Sequence, residues 1–222
     1  MKRFVLPVAL LVLGGGMTAY ADIAYNDPVG QGTQNFGGNL ALLFNVNSPI
    51  TVTQLGVFNA VGDGNIAGPI QVAIYNLGTL ALATTVTFQG HYATAGLGFD
   101  VFQSLIGPVT LGPGTYEVDA VGFSGADLNG NLNTGSLSGP LLNTFAGKVK
   151  YTGAAWDFSS SLDHPTTFSS CVGLPDQSSQ FDAGTFAIAT ATTPEPGLYG
   201  TLVLGLFGLL AVARLRKTKN RA

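Results

Sequence analysis

Short runs of β-branched and aliphatic residues recur along the middle of the chain, separated by Gly, Pro, Asn and Asp. Tyr116, Val118 and Ala120 alternate with Glu117 and Asp119, which is the pattern of a strand with one buried face. The same kind of pattern predicts strands over 40–46, 50–58, 70–76, 80–88, 99–105, 109–111, 115–123, 141–146, 149–152 and 180–189. Turns are predicted where Gly, Pro and Asn cluster, at 62–64, 76–78, 112–114 and 129–131.

These elements predict an all-β domain. No stretch between Asp22 and Thr193 has a helical period with caps, and no fixed-period repeat supports a β-helix. Many short strands at this spacing are typical of an antiparallel β-sandwich or barrel. We therefore predict one antiparallel β-sandwich domain at 22–189, followed by a linker at 190–197.

The first 21 residues have the order of a secretory signal peptide. Two cations precede an apolar segment at 4–13, and Ala19 and Ala21 provide the small residues of a cleavage site. We expect signal peptidase to cleave after Ala21, so that the mature chain begins at Asp22. The alternative, an uncleaved anchor helix, is disfavoured because the apolar segment is too short to span a bilayer.

The chain ends on a polar motif, an apolar segment and a basic cluster. Pro194-Glu195-Pro196 leads into sixteen uncharged residues at 198–213, and five cations follow. A helix of that length spans about 24 Å, and its flanking residues extend it toward the ~30 Å hydrocarbon core. We predict a transmembrane helix at 198–215 and a cytoplasmic basic tail at 216–222. A buried helix of a soluble domain is disfavoured because such a helix has a polar face.

This order of parts resembles the PEP-CTERM sorting signal of Gram-negative bacteria. The resemblance covers about the last thirty residues and rests on Pro194-Glu195-Pro196, the Gly-containing apolar segment and the Arg/Lys cluster. It implies an inner-membrane-anchored precursor that an exosortase, a membrane cysteine transpeptidase, processes. The implied destination is the cell surface or the extracellular matrix, where exopolysaccharide is a candidate partner.

Residues 50–123 resemble the jelly-roll-type β-sandwich of unknown function found in exported bacterial proteins. The matching segments are 50–58, 72–76 and 109–116. The last of these is a strand, a Gly-Pro-Gly turn and a strand that opens with Thr-Tyr. The resemblance implies a jelly-roll-like sandwich and carries little information about function.

Positive charge is concentrated at the two ends of the chain. The exported segment 22–193 keeps only Lys148 and Lys150 against eleven Asp and Glu, a net charge of −9. Nucleic-acid binding is excluded because it needs a basic surface, whereas divalent cations or basic partners suit this segment. The single cysteine, Cys171, forms no internal disulfide. We expect it to be a buried apolar residue, with an intermolecular disulfide as the alternative.

Candidate catalytic groups are few. Glu117 and Asp119 share one face of a predicted strand, and paired carboxylates are what a glycosidase uses. Same-face acids usually decorate a solvated face, and this is the expectation here. His164 and Cys171 form a nucleophilic pair only if the fold brings them together, and we expect His164 to be solvated. We predict no catalytic residue and no enzymatic activity.

The candidate metal ligands are Asp127, Asn129 and Asn131. Their alternate spacing is similar to the start of a calcium loop, although an EF-hand would have Gly at Leu132 and Glu at Ser138. Calcium bound there would raise the melting temperature of the domain, and Asp127→Ala would reduce the gain. The alternative is an ordinary Asn-Gly turn. No other cofactor is predicted.

Three functions remain open for the exported domain. The favoured function is that of a non-catalytic surface or matrix protein, structural or adhesive in an exopolysaccharide layer. The second is a carbohydrate-binding module, with Tyr92, Tyr151 and Trp156 as candidate contact residues, and the third is a glycan-acting hydrolase. An exposed row of aromatic side chains would favour the second, and a cleft with convergent carboxylates would favour the third.

Overall fold

The structure is a computed structural model that describes residues 22–26, 32–93, 99–131, 141–165, 167–169, 181–189 and Gly205. The chain divides into two units, 1–189 and 190–222. The predicted signal peptide, the Pro-Glu-Pro motif and all of the predicted anchor except Gly205, which is helical, lie outside the described residues. Within the described residues, no helix has the length and apolar character needed to cross a membrane.

The described part of the first unit is built from β-strands, and every strand pair is antiparallel. The prediction of an all-β fold with antiparallel sheets is confirmed. The strands are β1 (Asp22–Ile23), β2 (Tyr25–Asn26), β3 (Asn39–Val46), β4 (Ile50–Phe58), β5 (Asn65–Asn76), β6 (Ala81–His91), β7 (Asp100–Leu111), β8 (Gly114–Val121), β9 (Gly130–Asn131), β10 (Leu141–Leu142), β11 (Val149–Asp157), β12 (Thr167–Ser169), β13 (Phe181–Asp182) and β14 (Gly184–Ile188).

Two larger sheets contain most of these strands. The six-stranded sheet has the order β12-β11-β3-β8-β5-β6, and the four-stranded sheet has the order β1-β14-β4-β7. Two short pairs join β10 to β2 and β13 to β9. Strand β8 is central in the six-stranded sheet, since β3 lies on one side of it and β5 on the other. Side chains of β8 are therefore flanked by neighbouring strands on both faces of the sheet.

The two larger sheets face each other across one hydrophobic core. The rings of Phe44 in β3 and Phe186 in β14 lie 5.0 Å apart between centroids. The sheets approach closely at Gly184, where a Cβ would lie 3.2 Å from side-chain atoms of Ala120 and Val72. Burial of each large aliphatic or aromatic side chain in this core contributes about 1.5–3 kcal/mol.

Two of the predicted strands end too early, because Gly and Pro interrupt the pattern without ending the strand. Strand β7 continues through Gly107-Pro108. It is an edge strand, and its register with β4 shifts between Val52 and Gln54, so the proline lies at a bulge, where sheets tolerate it. Strand β11 continues past Thr152 with a register shift at Gly153. This extension brings Asp157 into line with the start of β3.

Candidate functional site

The outer face of the six-stranded sheet lies opposite the core and carries two acids whose burial the sequence did not predict. Glu117 and Asp119 lie on this face of β8, and each is 0 % exposed. The prediction of a solvated face for these acids is wrong. Tertiary packing covers a surface that the local alternation alone marked as polar.

Asp119 lies among small side chains. It stands opposite Ala41 of β3 and Ala73 of β5, and Ala155 of β11 is opposite Ala41. Glu117 stands opposite Leu43 and Tyr75. All four carboxylate oxygens of the two acids lack a hydrogen-bond partner in the described part of the chain. An unpaired polar group in such a place is costly, so the site calls for a physical explanation.

Burial and like charge determine the protonation of both acids. Desolvation raises the pKa of Glu117 to about 8, with further increases from Asp157 and Asp163. Desolvation raises the pKa of Asp119 to about 9, and the nearby carboxylates of Glu117, Asp157 and Asp163 add to it. The backbone of Ala120 lowers the Asp119 pKa without making a hydrogen bond of standard geometry. Both acids are therefore neutral at pH 7, whereas a glycosidase pair needs one ionised member.

The chain that follows β11 folds against Asn39 at the start of β3. We name residues 157–163 the Asp157 loop. The side-chain Nδ2 of Asn39 lies 3.2 Å from Asp157 Oδ1, 3.3 Å from the carbonyl oxygen of Ser159, 2.8 Å from that of Ser161 and 2.9 Å from Asp163 Oδ1. Asn39 is 0 % exposed. Oxygens from alternate positions of one short loop thus converge on one buried amide.

The hydrogen-bonding capacity of Asn39 does not match this arrangement. An amide nitrogen carries two hydrogens, and four oxygens compete for them. The amide oxygen, Asn39 Oδ1, has no hydrogen-bond partner in the described chain. Within the loop, the Ser159 N–H donates to Asp157 Oδ1 at 2.9 Å and the Ser159 hydroxyl donates to Asp163 Oδ2 at 3.3 Å. The Asp157 loop therefore presents more hydrogen-bond acceptors to Asn39 than the two amide hydrogens can satisfy.

Tyr75 connects the loop to the buried acids. Its hydroxyl donates to the carbonyl oxygen of Leu162 at 3.3 Å. Burial raises the pKa of Tyr75, and the charges of Asp119, Asp163 and Glu117 raise it further. The phenol therefore remains a neutral hydrogen-bond donor. Its contact with Leu162 holds the Asp157 loop close enough for the charges of the loop and of the acids on β8 to affect one another.

The predicted metal ligand Asp127 lies elsewhere, and both of its carboxylate oxygens are occupied. Asp127 Oδ1 accepts the N–H of Ala67 at 2.9 Å, and Oδ2 accepts the N–H of Gly68 at 2.8 Å. The side chain is 7 % exposed. These contacts tie the segment after β8 to an irregular part of β5, where the register with β6 shifts between Ile66 and Ile70.

Asn129 and Asn131, the other two predicted metal ligands, both donate hydrogen bonds to Gln34. Their Nδ2 atoms donate to Gln34 Oε1 at 2.8 Å and 3.1 Å. Asn129 also forms a β-bridge with Gln34, and β9 pairs with β13, so the predicted Asn-Gly turn is wrong. The described contacts of all three predicted ligands are structural, and calcium binding at Asp127, Asn129 and Asn131 stays a prediction.

The candidate carbohydrate-contact residues do not lie in one row. Tyr151 is held inside the domain, because its hydroxyl donates to the carbonyl oxygens of Ala24 and Asn143 at 2.9 Å and 3.0 Å, and burial raises its pKa. Tyr92 packs against Phe88, with 5.3 Å between ring centroids. Trp156 packs against two other rings, those of Phe36 and Phe158. The three residues thus have different neighbours.

The remaining titratable candidates give no catalytic pair in the described chain. His91 ends β6 and is exposed, and His164 is half-buried just after the Asp157 loop. Cys171 lies outside the described residues, so its pairing with His164 stays untested.

Sequence reasoning missed the Asp157 loop. Asp157, Ser159, Ser161 and Asp163 have the same alternate spacing of oxygen-bearing residues that singled out 127–133, and that criterion applied along the whole chain would have found them. Asn39 has no comparable local signal. The chain matches no protein-family model, and no curated protein is significantly similar to it in sequence.

Proposed function

We propose that this chain is an exported protein of the cell surface or extracellular matrix of a Gram-negative bacterium, whose domain acts by binding rather than catalysis. The observation that carries the proposal is the order of Pro194-Glu195-Pro196, the uncharged segment 198–213 and the basic tail. We further propose that the domain at 22–189 is a jelly-roll-like β-sandwich. The two facing sheets and the resemblance of 50–123 support this fold.

The proposed route has three steps. Signal peptidase removes 1–21 after export, and the helix 198–215 holds the precursor in the inner membrane with its basic tail in the cytoplasm. An exosortase then processes the chain at Pro194-Glu195-Pro196 and passes the domain outward. A segment with a net charge of −9 and two lysines is well solvated, which suits a hydrated exopolysaccharide layer.

Replacing Pro194-Glu195-Pro196 with three alanines is expected to leave the chain unprocessed in the membrane, because the apolar anchor remains and the recognised motif is lost. Cell fractionation and immunoblotting measure the location and size of the product. A matched control replaces Thr190, Thr192 and Thr193 with alanine, and we expect normal processing of that variant. A motif variant that reaches the matrix at mature size would contradict the sorting proposal.

One observation favours carbohydrate binding as a second function. Trp156 packs edge-on against Phe36 and Phe158, at 6.1 Å and 5.2 Å between ring centroids, and Phe158 is 81 % exposed. An exposed aromatic ring supported by two others provides an apolar surface on which a sugar ring can pack.

In a glycan array, Phe158→Ala is expected to lower any glycan signal at least tenfold, because the exposed ring is the group available for stacking. Tyr151→Phe is the control, since the Tyr151 hydroxyl binds only internal carbonyls among its described contacts. An array without signal for the unmodified chain would leave the structural or adhesive function as the proposal.

A further inference from the structure

We propose that Asn39 and the Asp157 loop form a binding site for one divalent cation, and that the ion is calcium. The ligands are Asp157 Oδ1, Asp163 Oδ1, the backbone carbonyl oxygens of Ser159 and Ser161, and the side-chain oxygen of Asn39. This site is separate from the predicted ligands at 127–131, and it goes beyond the proposed function of the domain.

The convergence of oxygens is the first observation. Four oxygens lie 2.8–3.3 Å from one atom, Asn39 Nδ2. Calcium takes six to eight oxygens from carboxylates, backbone carbonyls, Asn side chains and water at 2.3–2.6 Å. Oxygens that share such an ion lie about 3 Å from one another. The four distances have this size if the amide is rotated so that Asn39 Oδ1 takes the place of Nδ2, and water would complete the coordination.

The orphaned oxygen of Asn39 is the second and independent observation. Asn39 is 0 % exposed, and its Oδ1 has no partner in the described chain. Rotation of the amide exchanges the positions of nitrogen and oxygen, which only hydrogen bonding distinguishes. An oxygen turned toward two carboxylates and two carbonyls is repelled unless a cation lies between them. A bound ion would therefore hold the rotated oxygen among the surplus acceptors, and the NH2 group of Asn39 would take the place at which Oδ1 finds no donor.

The type of ligand selects the kind of ion. Among the described residues, no three His, Cys, Asp or Glu side chains are placed to hold one metal ion, so the backbone carbonyls of Ser159 and Ser161 are essential to the site. All five ligand atoms are oxygens, whereas zinc sites are built largely from nitrogen and sulfur ligands. Magnesium requires near-ideal octahedral geometry and keeps its water, and flexible loop carbonyls suit calcium better.

Two buried acids of β8 lie beside the proposed ligands. Glu117 and Asp119 are buried, without hydrogen-bond partners, and within electrostatic range of Asp157 and Asp163. Four carboxyl groups therefore meet at this part of the outer face. A divalent cation held by the loop would offset the repulsion between the Asp157 and Asp163 carboxylates and hold the loop against the sheet.

The test is calcium binding by the full chain, purified in detergent and freed of metal with EDTA. Isothermal titration with calcium chloride and melting curves at fixed ionic strength give the dissociation constant and the stabilisation. We expect one site with a dissociation constant on the order of 10⁻⁴–10⁻³ M, as in extracellular modules, a melting temperature that rises to saturation with calcium, and a smaller rise with magnesium. An unchanged melting curve in 10 mM calcium would overturn the proposal.

Three variants locate the ion. Asp163→Asn is expected to weaken calcium binding at least tenfold, and Asp127→Asn is expected to leave it unchanged. Asn39→Asp keeps the size of the side chain and adds a charged ligand, so its gain in melting temperature from EDTA to calcium should exceed that of the unmodified chain. A merely structural Asn39 would make that variant less stable without any added calcium response, which would contradict the site. Loss of binding in Asp127→Asn with retention in Asp163→Asn would assign the ion to 127–131 instead.

Discussion

The double variant Glu117→Gln/Asp119→Asn is expected to be more stable than the unmodified chain above neutral pH. In an unfolded chain these acids titrate near pH 4, whereas burial in the folded domain raises the Glu117 pKa to about 8 and the Asp119 pKa to about 9. Between those values the folded state binds more protons than the unfolded state. The free energy of unfolding is therefore highest below about pH 4 and falls as pH rises through the folded pKa values.

The slope sets the size of this effect. Each group that is protonated only in the folded state lowers the free energy of unfolding by about 1.4 kcal/mol per pH unit. Between pH 4 and pH 7 this amounts to about 4 kcal/mol for each acid, out of the roughly 5–15 kcal/mol typical of a domain. Neutral amides of the same shape do not titrate, so the double variant avoids this loss.

Urea unfolding at pH 5, 7 and 9 in EDTA measures the effect. We expect the midpoint of the unmodified chain to fall steeply with pH and that of the double variant to change little. Asp63→Asn is the matched control, because Asp63 is exposed and its removal should leave the pH profile unaltered. Parallel profiles for the double variant and the unmodified chain would show that the two acids are not buried in solution.

Phe186→Ala is expected to lower the free energy of unfolding by about 3–5 kcal/mol, because it leaves a cavity between the two larger sheets. Phe186 is 0 % exposed, and its ring lies 5.0 Å from that of Phe44 and 6.0 Å from that of Phe145. Chemical denaturation at pH 6 measures the change. Phe158→Ala removes the same side chain from an 81 % exposed position and should stay within about 0.5 kcal/mol.

Comparable losses for the two phenylalanine variants would contradict the facing of the two sheets. A loss of stability confined to Phe186→Ala would support a hydrophobic core between the two sheets, because Phe186 is buried in that core and Phe158 is exposed.

Asp127 illustrates how far residue type and spacing lead toward a site. Its position at the head of an alternating oxygen pattern made it a candidate ligand, but the folded chain gives both of its oxygens to backbone N–H groups of β5. Asp157 and Asp163 have the same spacing pattern, and the fold sets them against the side-chain nitrogen of Asn39, whose amide oxygen has no hydrogen-bond partner in the described chain. The difference between the two loops comes from their long-range neighbours, which the spacing does not encode.

In strand β8 the sequence determined some features and the tertiary structure decided others. Alternation along 115–121 was enough to predict a strand with Tyr116, Val118 and Ala120 toward the core, because the direction of each side chain follows from the local two-residue period. The sequence by itself thus determined the all-β class, most strands and the inward residues. The placement of β8 between β3 and β5, and the approach of Asn39 to Asp163 across 124 residues, depend on pairings between distant segments. Only the tertiary structure could therefore decide that Glu117 and Asp119 are buried and that the Asp157 loop closes around Asn39.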